Sequence, residues 1–186
     1  MPKLLLIKHS LPDVRPEHPP SRWRLSPEGS RRALDLAEAL RLFGLARLYA
    51  SSEPKASQTA ALVAERLGVP WEARGGLEEH HRDHEPFLPE EEFQERVAAL
   101  FARPSERVFG DESADEARAR FAAAVEALVA DDDVGIVAHG TVISLLVAAK
   151  SGLDAFSLWR RLGLPSYVVL ETPSWRVVEV VEEVED

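Results

Sequence analysis

Two short apolar runs, each followed by a histidine, constrain the fold of this chain more than any other feature. Residues 4–7 lead through Lys8 to His9, and residues 134–138 lead directly to His139. Runs of this length and composition predict strands that are buried on both faces of a parallel sheet. Because the cleft of an open α/β sheet lies at the carboxyl ends of its strands, we expect the two histidines to share one site.

The rest of the chain alternates between strand and helix signals, which predicts a three-layer α/β/α fold with a mainly parallel sheet and an antiparallel edge. Ser26 and Pro27 fit the N-cap and first position of a helix that ends at Gly44. Tyr167–Leu170 and Arg176–Val181 predict an antiparallel hairpin. We find no linker that divides the chain, and we expect a single domain over residues 1–186.

Helices are predicted in five further places. They cover 54–68, 90–102, 113–130, 141–151 and 155–162. Ser113 and Glu116 have the spacing of a capping box. The segment from Gly75 to Pro89 is polar, rich in histidine and without a clear period.

Composition excludes several classes of function. A net charge of −10 is unfavourable for binding nucleic acid or an anionic membrane surface, since both require clustered basic residues. The absence of cysteine excludes disulfides, thiol chemistry and cysteine-based zinc sites. No apolar stretch approaches the roughly 20 residues that span a bilayer, and the first residues do not resemble a signal peptide. We therefore expect a cytoplasmic protein.

Both histidines lie in motifs suited to catalysis or anion binding. A neutral imidazole can act as a nucleophile or base near pH 7, and Lys8 places a cation beside His9. After His139, Gly140 permits a close approach of the backbone, and Thr141 can cap the helix that follows. A helix N-terminus with free N–H groups is a site for an anion. Either histidine alone could equally be a strand-end residue with a structural role.

A third strand end carries another cation. Ser51 and Ser52 follow a short strand, Pro54 begins a helix, and Lys55 lies in its first turn. A lysine there opposes the helix dipole unless it meets an anion. A solvated surface lysine is the simpler alternative, but three such strand ends favour one anion site.

In this order the motifs resemble those of the histidine phosphatase superfamily, also called the phosphoglycerate mutase-like family. The family has Arg-His-Gly after its first strand, Ser-Ser with an arginine before Ala-x-x-Thr-Ala, an acidic residue after a leucine, and a late His-Gly. The corresponding segments here are Lys8-His9-Ser10, Ser51-Ser52 with Lys55 and Gln58-Thr59-Ala60, Leu77-Glu78-Glu79, and Ala138-His139-Gly140. The similarity spans nearly the whole chain.

The resemblance implies a phosphatase that hydrolyses a phosphate monoester through a phosphohistidine at His9. Lys8, Lys55 and His139 would hold the phosphate oxygens. Glu79 would protonate the leaving oxygen and then activate water, with Glu78 as the competing choice. The expected partner is a small phosphorylated substrate, and no metal or cofactor is implied.

The chain also departs from the family pattern. Lysine replaces both phosphate-binding arginines, and it lacks the planar fork that binds two oxygens at once. Ser10 replaces a glycine, and we expect its side chain either to crowd the phosphate or, with Gly140, to help bind it. Arg15 occupies one of the places that normally follow the triplet and would supply some of the lost positive charge.

Two alternatives to hydrolysis therefore stay open. One is a mutase-type phosphotransferase, for which this chain looks short. The other is a weakly active or inactive protein that binds a phosphorylated ligand. The oligomeric state is also open, with a homodimer through the apolar strand Val177–Val181 as one alternative.

A competing site lies in the histidine-rich segment. His80 and His84 are four residues apart, a spacing that places two imidazoles on one face of a helix and can bind a metal. Nothing else in this segment predicts a helix, and Pro86 follows. We therefore favour a role for these histidines in the substrate loop.

Overall fold

A computed structural model of the chain describes residues 1–129 and 131–185 and shows a mixed sheet between two layers of helices. The strands of the described residues are β1 (Lys3–Lys8), β2 (Arg47–Ala50), β3 (Trp71–Ala73), β4 (Val134–Ala138), β5 (Ser166–Glu171) and β6 (Arg176–Val181). The α-helices are α1 (Pro27–Leu40), α2 (Pro54–Leu67), α3 (Glu90–Ala102), α4 (Ala114–Glu126), α5 (Gly140–Ser151) and α6 (Ala155–Arg161). Short 3₁₀ turns cover Pro20–Arg22 and Arg41–Phe43.

The strand order places three carboxyl ends side by side. The order is β3-β2-β4-β1-β5-β6. Strands β3, β2, β4 and β1 are parallel to one another. Strand β5 is antiparallel to β1, and β6 is antiparallel to β5. The predicted mainly parallel sheet with an antiparallel edge is therefore confirmed. Because β4 lies between β1 and β2, the residues after these three strands meet at one edge of the sheet.

The core follows from the alternation of side chains along each strand. Leu4, Leu6 and Ile136 pack on one face against α4 and α5, with α3 and α6 contributing Leu100 and Leu158. Residues 5, 7, 48 and 137 point to the other face and pack against α1 and α2. Both faces of the central strands are buried, as their continuous apolar composition predicts.

Caps set the starts of the helices largely as predicted. The Ser26 hydroxyl accepts the Gly29 N–H at the start of α1, and Ser113 and Glu116 form the capping box of α4. The first predicted helix changes to a 3₁₀ turn before Gly44, whose φ of 60° favours glycine. The prediction of a helix up to residue 130 was too long, because α4 ends at Glu126; Ala130 itself lies outside the described residues.

Strand β3 was not predicted from the sequence. Its three residues are all exposed, and a run of three residues is too short to establish the period of a strand. It extends the sheet by pairing with β2 at the edge opposite to the hairpin. Within residues 1–129 and 131–185, no helix combines the length and the apolar character required to cross a membrane.

Candidate active site

The ends of β1, β2 and β4 bring two histidines and a serine into contact. The rings of His9 and His139 lie 5.2 Å apart between centroids, in an edge-to-face arrangement. The Nε2 atom of His139 lies 2.8 Å from the Ser51 hydroxyl oxygen. Both histidines are almost completely buried as residues and line the same cavity. The predicted proximity of His9 and His139 is confirmed.

The hydrogen bonding of His9 fixes its tautomer. The Nδ1 atom lies 2.7 Å from the Ser10 carbonyl oxygen, and because a carbonyl only accepts, Nδ1 carries the hydrogen. The Nε2 atom of the neutral ring therefore has a free lone pair. Burial, together with His139 and Lys55, lowers the pKa of His9 well below 6.5. At neutral pH the His9 ring is thus a neutral potential nucleophile.

Lys8 places its ammonium group at the same edge of the sheet. The Nζ atom donates to the Leu162 carbonyl oxygen at 2.7 Å, and burial lowers its pKa to about 8. Gly140 makes room for it, since a Cβ at this position would come within 3.2 Å of the Lys8 Cε atom. Lys8 and Gly140 both line the cavity.

Lys55 also reaches the site, but its charge is already paired. Its Nζ atom lies 2.6 Å from the Pro20 carbonyl oxygen and 2.6 Å from the Glu53 carboxylate. The side chains of this ion pair are only 6% and 8% exposed. The sequence predicted the cation at this position and did not indicate the carboxylate.

Glu79 and Glu78 have different surroundings. The Glu79 carboxylate accepts the N–H groups of Thr141 and Val142 at 3.0 and 3.2 Å, and that of His80 at 2.9 Å. Burial opposes ionisation, but nearby Arg82, His139 and these N–H groups hold the pKa of Glu79 below its usual range.

Glu78 instead accepts the Ser52 hydroxyl at 3.2 Å and the Gly76 N–H at 2.8 Å. Its side chain is 24% exposed, against 13% for Glu79. Of these two residues, Glu79 is therefore the one whose carboxylate is held at the start of α5, directly after His139.

The N-terminus of α5 differs from its predicted role. The expectation that Thr141 caps this helix was wrong, since His139 occupies the N-cap position and the Glu79 carboxylate takes the N–H groups of Thr141 and Val142. These two N–H groups were expected to bind an external anion, but they are already hydrogen-bonded to a carboxylate of the chain itself.

Two further predictions need correction. The Ser10 hydroxyl donates to the Gly29 carbonyl oxygen at 2.7 Å, so it neither crowds nor bonds a ligand in the cavity. Gly29 is required there, because a Cβ would collide with the Leu11 carbonyl. Arg15 is exposed and paired with Asp13, and does not supply charge to the cavity.

Arg82 is a site residue that the sequence did not indicate. Its guanidinium lies 5.0 Å from the centre of the Phe93 ring and 5.9 Å from that of Phe109. Its Nη2 atom is 4.0 Å from the Glu79 carboxylate, and its charge acts on both Lys8 and His139. Arg82 thus brings to the cavity a planar guanidinium, which neither lysine can provide. No local pattern in the sequence indicated this placement, because residues 79–82 are not helical.

A partly buried network of hydrogen bonds holds the loop that carries Glu79. Arg120 donates to the carbonyl oxygens of Gly76, Glu78 and Glu79 at 2.9 to 3.1 Å, and to the Glu112 carboxylate at 2.6 Å. Irregular backbone needs such partners, because it has no ladder of its own. Arg120 is therefore a positioning residue, and it also lay outside the predicted set.

His80 and His84, the two candidate metal ligands in this loop, lie in different environments. His80 is buried with its Nε2 atom 2.8 Å from the Glu112 carbonyl oxygen, whereas His84 is exposed and pairs with Asp111. The segment between them is not helical, so the four-residue spacing does not align their rings. In the described part of the chain, no group of three or more His, Asp or Glu residues has a geometry that could hold a metal ion.

The cavity above these residues has a volume of about 1400 Å³. Its outer wall comes from the irregular segments before α1 and before α3. Trp23 and Phe87 lie there with ring centres 6.4 Å apart, and more than half of Phe87 is exposed. The cavity therefore combines a polar base with a partly apolar mouth.

The order and geometry of these residues agree with one protein family. The family model of the histidine phosphatase superfamily (branch 1) matches residues 5–182. The chain belongs to the histidine phosphatase superfamily. No curated protein sequence matches it.

Solved structures with the histidine phosphatase fold support the same architecture. A mycobacterial glucosyl-3-phosphoglycerate phosphatase is 22% identical, with 98% of this chain and 99% of that chain covered and a TM-score of 0.78. YhfR of Bacillus stearothermophilus is 21% identical, with coverages of 100% and 98% and a TM-score of 0.77. A phosphoserine phosphatase of Entamoeba histolytica is 15% identical, with coverages of 97% and 97% and a TM-score of 0.73. At these identities the similarity shows the fold.

Proposed function

We propose that the protein is a phosphatase that hydrolyses a phosphate monoester through a phosphohistidine at His9. The neutral His9 ring carries the proposal, because its Nδ1 atom is held by the Ser10 carbonyl and its Nε2 lone pair is free. A neutral nucleophile beside cations is what attack on an anionic phosphate ester requires. Membership of the histidine phosphatase superfamily supports this role.

In the first step, His9 Nε2 attacks phosphorus, a P–N bond forms, and the bond from phosphorus to the ester oxygen breaks. The leaving oxygen takes a proton from Glu79. In the second step, water gives a proton to the Glu79 carboxylate and attacks phosphorus, and the P–N bond breaks to release phosphate and His9. The cycle thus returns Glu79 to its protonated form.

Glu79 must therefore be protonated when substrate is bound, although its pKa is low in the free protein. A phosphate dianion bound beside the carboxylate raises that pKa, since a second negative charge disfavours ionisation. Lys8, Lys55, Arg82 and His139 would stabilise the charge on the transferring group. Arg82 is thus proposed to bind the phosphate in place of Ser10, which the sequence had suggested for that role.

A weakly active protein that binds a phosphorylated ligand is the second candidate. The Glu53–Lys55 ion pair favours it, because it neutralises one of the expected phosphate-binding cations. The names of two structural neighbours, a glucosyl-3-phosphoglycerate phosphatase and a phosphoserine phosphatase, favour hydrolysis instead. A mutase-type transfer stays an alternative, which a second acceptor alcohol in the assay would detect.

Substitution of His9 by alanine tests the proposal. Turnover of an aryl phosphate should fall by a factor of roughly 10³ or more, since the nucleophile is removed. The matched control is His84→Ala, because His84 is exposed and pairs with Asp111 at the rim. Activity of His9→Ala at the level of the control would contradict the proposal. Activity of the wild type should also survive chelators, because no step requires a metal.

A further inference from the structure

Glu53 places a second carboxylate at the site, in addition to Glu79. It occupies the N-cap position of α2, but its carboxylate makes no hydrogen bond to the N–H groups of that helix. Instead, Oε2 lies 2.6 Å from Lys55 Nζ, and Oε1 accepts the Glu79 N–H at 3.0 Å. Oε1 is also 3.8 Å from His139 Nε2. The carboxylate therefore contacts side chains of the site and leaves the backbone N–H groups of α2 without a side-chain cap.

We infer that the Glu53 carboxylate is a resident counter-ion that competes with phosphate for Lys55 and so keeps the affinity for phosphate low. The inference deepens the proposed function, because it uses that function only to place phosphate beside His9 and Lys55. Glu53 contacts Lys55 and His139, and both of these residues are proposed to hold phosphate oxygens.

Burial makes this competition strong. The Glu53 and Lys55 side chains are more than 90% buried, so water screens their charges weakly. At the effective dielectric of a protein site, one unit charge a few ångströms from a bound anion changes its affinity by roughly ten-fold or more. Phosphate that approaches Lys55 meets this charge and must also loosen a 2.6 Å ion pair.

The competition has a functional consequence. Inorganic phosphate is the product of every phosphatase cycle, and tight product binding slows turnover. A fixed carboxylate weakens the binding of free phosphate, which speeds its release. Glu53 is therefore expected to govern inhibition by product, and the chemistry at His9 does not involve it directly.

Calorimetric titration with inorganic phosphate at pH 7 tests the inference. Glu53→Gln removes the charge but keeps an oxygen that can accept the Glu79 N–H, and the Kd for phosphate should fall by roughly ten-fold. Glu53→Asn removes the same charge with a shorter side chain and should shift the Kd in the same direction. Unchanged or weaker binding in folded samples of these variants would overturn the inference.

Glu85→Gln is the matched control. Glu85 lines the same cavity and accepts the Gly110 N–H at 2.8 Å, so the substitution removes an equal charge at a different place. Its Kd for phosphate should change less than two-fold. A gain as large as that of Glu53→Gln would show a general charge effect and overturn the inference.

The double variant Glu53→Gln/Lys55→Met identifies the mechanism when it is compared with the wild type, because both lack a net charge at this pair. If the gain of Glu53→Gln comes from the freed Lys55, the double variant should bind phosphate within about two-fold of the wild type. A ten-fold gain that persists in the double variant would contradict the inference. These titrations do not require turnover, so a failure of the proposed phosphatase activity would be detected separately, in the aryl phosphate assay.

Discussion

The base and the wall of the cavity are built in different ways. His9, Ser51 and His139 form the base, and each follows a strand whose backbone pairs with its neighbours in register. The part of the wall that precedes α3, residues 74–89, has no such ladder and is held by side chains, above all by Arg120. The base carries the proposed nucleophile, whereas the wall carries Glu79 and Arg82.

This difference divides the proposed reaction between the two regions. The sheet fixes the proposed nucleophile, because the His9 N–H donates to the Ala138 carbonyl oxygen across β1 and β4. In the proposed reaction, the wall would supply the proton from Glu79 and the guanidinium of Arg82. Substitutions in the wall should therefore lower the rate while the phosphoryl group is still transferred to His9.

Glu79→Gln should have the largest effect among the wall variants. The amide cannot transfer a proton, so kcat should fall by roughly 10² to 10⁴. The amide oxygen can still accept the Thr141 N–H, which keeps the start of α5 in place. The control is Glu78→Gln, which should cost less than ten-fold for a poor leaving group such as an alkyl alcohol. A larger loss in Glu78→Gln would transfer the role of the acid to Glu78.

Arg82→Met should have an intermediate effect. Methionine preserves contact with the Phe93 and Phe109 rings but removes the charge, and kcat/KM should fall by roughly ten- to a hundred-fold. Arg160→Met is the control, because Arg160 is an exposed arginine that lines the same cavity. Equal losses in steady-state kinetics of the two variants would remove Arg82 from the site.

Deprotonation of Lys8 should have a smaller effect, which appears in the pH dependence of kcat/KM. Burial lowers its pKa to about 8, so the free protein has the ammonium below that pH and loses the cation above it. The value of kcat/KM should therefore decline above about pH 8, by roughly ten-fold per pH unit at most. Lys8→Arg keeps its charge throughout this range and should abolish the decline. The same decline in Lys8→Arg would assign it to another group.

The sequence predicted the base of the cavity better than its wall. Apolar runs define β1 and β4, and the carboxyl ends of parallel strands meet at one edge, so the amino-acid pattern alone was enough to place His9 and His139 together. No such rule applies to residues 74–89. Their backbone is irregular, and Arg82 enters the cavity through contacts with Phe93 and Phe109 that no local pattern encodes.

Contacts between side chains and residues far away in the sequence also could not be predicted. The Ser10 hydroxyl bonds to the Gly29 carbonyl oxygen, and Glu79 caps a helix 62 residues further along the chain. Both contacts depend on the packing of elements that are distant in sequence. The type of fold and the position of the proposed nucleophile follow from local patterns, whereas the balance of charge around them depends on tertiary structure.

The most direct test of the central claim is to trap the phosphoenzyme. A monoester with a radioactive phosphoryl group should label the wild-type protein during turnover, and a P–N bond should make the label stable to alkali and labile to acid. The label should lie on His9 and be absent from His9→Ala. Turnover by the wild type with no trapped label, or equal labelling of His9→Ala, would contradict the account.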